Sequence, residues 1–272
     1  MRLGISSPLQ HNSPEEWAQR QTELGCTTVV FPISCKDPRA KILAYKSAAD
    51  RSGLTIAEVG IWCNALAKDE EERTRNRDYA VGQLRLADEI GARCAVNVAG
   101  SMGEIWDGHY RENFSPEAWD LTVAMIRDII DRAEITRTYF TIEPMPWMIP
   151  TGPEEYLRLI DAVDRERFAV HMDIINMINS AERYFFAEDL IDRCISMLGD
   201  RIRSCHIKDV HLAEKYTFRL EECAPGEGEF PLHRYVERVD AIDKDMPVIL
   251  EHLSSDEDYI KYASYLRREI IV

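Results

Sequence analysis

The chain has 272 residues, 45% hydrophobic and 30% charged, enough for one large core, and this length suits a single α/β barrel domain over 1–272. Its formal charge of −15 and pI near 5.0 oppose a phosphate backbone, which is bound through clustered Lys and Arg, so no nucleic acid partner is expected. No apolar run approaches the ~18 residues that cross a bilayer, and MRLGISSPLQ lacks the basic and apolar segments of a signal peptide, so no membrane association and a cytoplasmic location are expected.

In chain order, eight short runs rich in β-branched and apolar residues are predicted as strands: RLGISS (2–7), TTVVFP (27–32), LTIAEVGI (54–61), RCAVNV (93–98), YFTIE (139–143), FAVHMD (168–173), IRSCHI (202–207) and PVILE (247–251). Between them lie segments of helical periodicity, such as 38–53 and 72–92, with charges opposite the apolar stripe. Ser13, Thr151 and Ser254 each precede a Glu by three residues in a capping pattern, and Ser115-Pro116 places Pro at a helix start. Eight strand–helix cycles without a linker predict a (β/α)8 TIM barrel, an α/β fold with a parallel sheet. No G-x-G-x-x-G follows the first strand to favour an open dinucleotide-binding sheet. The seven cysteines are scattered and never form C-x-x-C, so they read as reduced, buried residues, with Cys63 beside Trp62 the one to watch.

In such barrels the functional groups gather at the C-terminal strand ends. The last four strand runs lead to Glu143, Asp173, His206 and Glu251, one metal-type side chain each. Three carboxylates on one rim raise one another's pKa and cost stability unless a cation sits among them, so one divalent ion is expected. The oxygen-rich donor set points first to Mn²⁺, with Mg²⁺, Co²⁺ or Zn²⁺ also compatible.

The stretches Thr141-Ile-Glu-Pro144, His171-Met-Asp173, Cys205-His-Ile-Lys-Asp209, Pro225-Gly-Glu-Gly-Glu-Phe230 and Leu250-Glu-His252 resemble the xylose isomerase-like barrels, which include ketose 3-epimerases, inosose dehydratases and sugar phosphate isomerases. The resemblance implies that Glu143, Asp173, His206 and Glu251 hold the metal and that Glu143 and Glu251 act as acid and base on opposite faces of a sugar or cyclitol. The reaction implied is isomerisation or epimerisation: a proton leaves the carbon beside a carbonyl, and the metal stabilises the enediolate. Where epimerases of the family carry a further His, Glu and Arg, this chain has Asn176, Ile149 and Leu212, which puts simple ketose 3-epimerisation in doubt. Asn176 can hydrogen-bond a substrate hydroxyl but cannot shuttle a proton near neutral pH.

Lys208 shares the pleat face of His206 and is a candidate base or substrate-binding group, the alternative being an ion pair with Asp209 or a nearby Glu. Trp62, Trp106 and Trp147, with Met145 and Met148, would form a broad apolar mouth. Trp62 and Trp147 are candidate substrate contacts, as is His11, and Asn97, His109 and His252 are further rim candidates. An apolar mouth would suit a substrate with an apolar or aromatic group beside its sugar ring, and then elimination by a metal-dependent lyase or dehydratase on a keto-sugar, inosose or 3-oxo glycoside. The other readings are a catalytically inactive sugar-binding barrel, a subunit that needs a partner chain, and the endonuclease IV-like branch, which requires more metal ligands and tolerates −15 poorly. A homo-oligomer is expected by resemblance.

Overall fold

Each of the eight apolar runs forms a strand, because a parallel barrel buries both faces of its strands and selects continuous Val, Ile, Leu and Ala rather than alternation. The computed structural model describes residues 1–271. Its barrel strands are β1 (Arg2–Ile5), β2 (Thr28–Val30), β3 (Thr55–Gly60), β4 (Cys94–Asn97), β5 (Phe140–Ile142), β6 (Phe168–Met172), β7 (Ile202–Ile207) and, after two further strands, β10 (Pro247–Leu250). All neighbouring pairs are parallel, in the order β1-β10-β7-β6-β5-β4-β3-β2. The ring is completed where Thr27 N–H donates to Leu3 O at 2.9 Å. Close approach across that seam requires Gly4, since a Cβ there would lie 2.7 Å from Thr28 O and 2.7 Å from Ile249 Cδ1.

The outer ring consists of α1 (Pro14–Glu23), α2 (Arg39–Arg51), α3 (Glu70–Ile90), α4 (Pro116–Ala133), α5 (Pro153–Val163), α6 (Ala181–Phe185), α7 (Ala187–Leu198), α8 (Leu232–Ile242) and α9 (Asp256–Tyr265). Ser13, Ser115 and Ser255 cap α1, α4 and α9 through their hydroxyls. The caps expected at Ser254 and Thr151 are each displaced by one residue, the first to Ser255. Gly152 occupies the cap of α5, and Thr151 bonds to Glu155 through both its N–H and its hydroxyl, because Pro153 already fills the first helical position.

The sequence did not signal the antiparallel hairpin β8 (Asp209–Leu212) and β9 (Leu220–Cys223), inserted between β7 and α8. Its base is tied down by Asp209, whose carboxylate accepts N–H groups from Val210, Gly226, Gly228 and Phe230 at 2.8, 2.9, 3.2 and 3.0 Å. That is the structural role of the Pro225-to-Phe230 stretch: its backbone wraps one buried carboxylate and sets the hairpin over the barrel mouth. Among the described residues, no helix is long and apolar enough to cross a membrane.

Candidate metal centre

Glu143, Asp173 and Glu251 are the first residues beyond β5, β6 and β10, and His206 is the penultimate residue of β7. Strand-to-strand hydrogen bonds fix these positions on the rim, Glu143 N–H donating to Asn97 O at 2.8 Å and Glu251 N–H to Ile207 O at 3.4 Å. The structure brings all four side chains together: one ligand atom from each lies within 4.8 Å of every other, and all four residues are buried. His206 Nδ1 faces Glu251 Oε2 at 2.8 Å and Glu143 Oε1 at 3.5 Å, while Asn176 donates from Nδ2 to Glu143 Oε1 at 2.9 Å and from its N–H to Asp173 Oδ1 at 3.1 Å.

Lys208 reaches into this group. Its Nζ lies 2.7 Å from both Asp173 Oδ2 and Glu251 Oε1 and 3.5 Å from Glu222 Oε1. It does not pair with Asp209, whose oxygens are taken by backbone N–H groups. The ammonium therefore supplies part of the positive charge that the crowded carboxylates require. Only its contact to Glu251 has hydrogen-bond geometry; Asp173 Oδ2 and His206 Nδ1 are buried without a directional partner. Buried polar atoms without partners are rare and call for an explanation. Here an acceptor oxygen and an imidazole nitrogen converge with Glu143 and Glu251, a set of three oxygens and one nitrogen that fits a divalent cation.

Below this group lies a carboxylate that sequence reasoning missed. Glu58, in the middle of β3 and 1% exposed, faces His206 Nε2 at 3.4 Å and His171 Nδ1 at 3.6 Å and accepts a hydrogen bond from Ser204 Oγ. A proton on His206 Nε2 directed at Glu58 leaves the Nδ1 lone pair facing the three rim carboxylates, the arrangement in which an outer carboxylate orients a metal-binding imidazole. His171 packs edge-on against His206, ring centroids 4.1 Å apart, and burial depresses its pKa to about 3, so it is neutral. The available signal was one acid inside the otherwise apolar run LTIAEVGI.

Without a cation the site separates its carboxylates electrostatically. Burial pushes Glu143 up to about 7, helped by the charges of Glu251 and Asp173 and opposed by His206. Burial acts the same way on Glu251, but His206 and Lys208 outweigh it and hold that carboxyl well below the usual range. Cys63 is not an activated thiol: burial pushes it up to about 12.

A cavity of about 910 Å³ opens above the centre. Glu143, His206, Glu251 and Glu58 form part of its floor, and Asn176, Trp62, Trp106, Trp147, Met145 and Phe218 are on its walls. Glu222 and His252, which pair at 2.7 Å, also line it. His11 is held elsewhere, its nitrogens 2.7 Å from Leu9 O and 2.8 Å from the Tyr45 hydroxyl. His109 packs edge-on to Trp147, and Asn97 grips the backbone of Cys63 through both side-chain atoms at 3.1 Å.

The fold recurs in 3-keto-D-glucoside 4-epimerase from E. coli (18% identity, TM-score 0.71, covering 98% of this chain and 99% of that one). It recurs also in the probable 3-DHS dehydratase of petrobactin synthesis from Bacillus anthracis (16%, 0.73, 97% and 97%) and in endonuclease IV from Thermus thermophilus (16%, 0.72, 98% and 98%). Three reaction classes on one scaffold show that the fold alone does not name the chemistry. The sequence matches no curated protein at a significant level. The family model described as xylose isomerase-like TIM barrel matches residues 17–269, and the chain belongs to that family.

Proposed function

We propose that the protein is a divalent-metal-dependent isomerase or epimerase acting on a sugar or cyclitol. The observation that carries this reading is the convergence of Glu143, Asp173, His206 and Glu251 within 4.8 Å, two of them ending in buried atoms without directional partners, at the floor of an open cavity. These four residues would hold the ion, with Mn²⁺ first choice for three oxygens and one nitrogen. When bound, a divalent cation stabilises the negative charge that develops on substrate oxygens as a neighbouring carbon loses its proton.

The chain's own groups supply the rest. Glu143 and Glu251 approach the cavity floor from β5 and β10, separated in the barrel by β6 and β7, so one can take a proton from one face of a carbon while the other returns it to the opposite face. Such acid–base help is worth roughly 10²–10⁴-fold. Asn176 holds Glu143 in position, and Lys208 holds Glu251 and Asp173.

Elimination is the second reading. The same proton removal followed by loss of a neighbouring oxygen substituent would make the protein a lyase, and the His252–Glu222 pair on the cavity wall favours it, because a departing oxygen needs a proton donor. The test is solvent-deuterium exchange with Mn²⁺ on ketoses, inososes and 3-oxo glucosides. Exchange with inverted or migrated carbonyl products supports the isomerase, exchange with release of water or an alcohol supports the lyase, and no exchange on any member by the metal-loaded protein overturns both.

A further inference from the structure

The wall of the cavity above the centre is built around an indole held by strain. Trp62 has φ 48°, left-handed for a residue with a bulky side chain. Such a conformation costs about 1–3 kcal/mol and persists only where the surroundings impose it. They do so on both sides. Asn97 clamps the next residue, accepting from Cys63 N–H and donating to Cys63 O, both at 3.1 Å. On the other side the indole folds back over Gly60, where a Cβ would come within 2.2 Å of Trp62 Nε1. Only glycine lets the ring lie there. The ring so held is 42% exposed and lines the cavity.

The other walls match it. Trp147 is fixed by donating from Nε1 to Asp107 O at 2.7 Å, and it packs with Met145 on a small apolar cluster of Val98, Ala99 and Met148, separate from the main core. Trp106 and Phe218 line the cavity at 37% and 44% exposure. Among the described residues that line it there is no Lys or Arg, while Asp107 and Glu222 are acidic, and the Lys208 ammonium is engaged by Asp173, Glu251 and Glu222. A phosphorylated or carboxylated substrate would find no guanidinium or ammonium on the wall, where the one imidazole, His252, is already paired with Glu222. About 910 Å³ also lies near the top of the roughly 300–1,000 Å³ usual for small-molecule sites, more space than a lone sugar ring fills.

Building on the sugar reading above, we infer that the aromatic wall is a second subsite for an uncharged, planar apolar substituent, so that the substrate is a neutral glycoside with an aryl-type group and a ring carbon oxidised to the carbonyl that proton removal needs, and neither a free monosaccharide nor a sugar phosphate. Trp62 and Trp147 supply ring faces and edges for contact with the substituent, and the floor takes the sugar.

The test is calorimetric binding of matched phenyl and methyl glycosides of glucose, galactose and xylose, with glucose 6-phosphate for comparison, to the protein with and without Mn²⁺. For at least one sugar the phenyl glycoside should bind about tenfold more tightly than the methyl, and the phosphate should not bind. Trp62→Ala should erase the preference, and Gly60→Ala, which displaces the indole without removing it, should reduce it, with circular dichroism confirming that both variants fold. Equal or absent binding of phenyl and methyl glycosides across all three sugars overturns the inference, as does tighter binding of the phosphate. A phenyl preference in protein that binds no metal would leave this subsite standing while the metal-dependent reading fell, and metal binding with proton exchange but no phenyl preference would do the reverse.

Discussion

Replacing Glu58 with Gln tests whether the carboxylate beneath His206 orients that imidazole toward a metal. The substitution keeps the size and removes the charge. At 3.4 Å from Nε2 and an effective dielectric of 20, a full charge on the imidazole would interact with Glu58 by about 5 kcal/mol. A neutral, metal-binding imidazole carries only part of that charge, and outer carboxylates of this kind contribute about 10–100-fold to metal affinity. Glu58→Gln is therefore expected to weaken Mn²⁺ binding by about 10–100-fold, or about 1.4–2.7 kcal/mol. Calorimetric titration against a competing chelator measures it. Nitrogen NMR of His206 with a diamagnetic ion, Zn²⁺, bound provides the readout that a merely structural role would not move: wild type should carry its single imidazole proton on Nε2, and the variant should lose that preference. A folded Glu58→Gln protein with unchanged Mn²⁺ affinity and an unchanged His206 tautomer would refute the reasoning.

Lys208→Met leaves Asp173 and Glu251 without their cation, and breaking a buried pair costs about 3–5 kcal/mol; urea unfolding without metal should show that loss, with Mn²⁺ restoring more stability to the variant than to wild type. Asp209→Asn removes the charge that four backbone N–H groups share, and faster amide exchange over residues 209–230 should report a loosened hairpin. Asp88 accepts N–H groups from Thr136, Arg137 and Thr138; burial opposes its ionisation, but those bonds outweigh burial and lower its pKa. Its folded pKa thus lies below the unfolded value of about 4, so its contribution is complete above that pH and fades as pH falls through the folded value. Chemical denaturation should show the deficit of Asp88→Asn at pH 7 shrinking toward pH 3.

The barrel was legible because its strands are buried on both faces and so read as short apolar runs, each bounded by capping residues or charge. The positions of Glu143, Asp173, His206 and Glu251 were legible for a related reason: a polar side chain that ends such a run has only the rim to occupy. Glu58 escaped notice because it sits within a run, at a pleat position facing the barrel axis, where its identity has meaning only beside His206 and Ser204 from a strand well over a hundred residues away. The partners of Lys208 were obscured in the same way, since Asp209 was the obvious neighbour in sequence but its oxygens are engaged by backbone around residues 226–230. The hairpin gave little signal, as Asp209–Leu212 and Leu220–Cys223 mix charged and apolar residues in runs of only four. His11 follows the first strand as a rim ligand would, yet Tyr45 and Leu9 take both its nitrogens.

The most direct test of the central claim is the metal content of the protein purified without chelators, measured by mass spectrometry beside Glu251→Gln and followed by titration of both with Mn²⁺. Close to one ion per wild-type chain, bound much more weakly by the variant, is the result predicted from the four converging side chains. Wild-type protein that carries no metal and takes up none when Mn²⁺ is added would contradict it, leaving the buried carboxylates to be balanced by Lys208 and the neighbouring histidines.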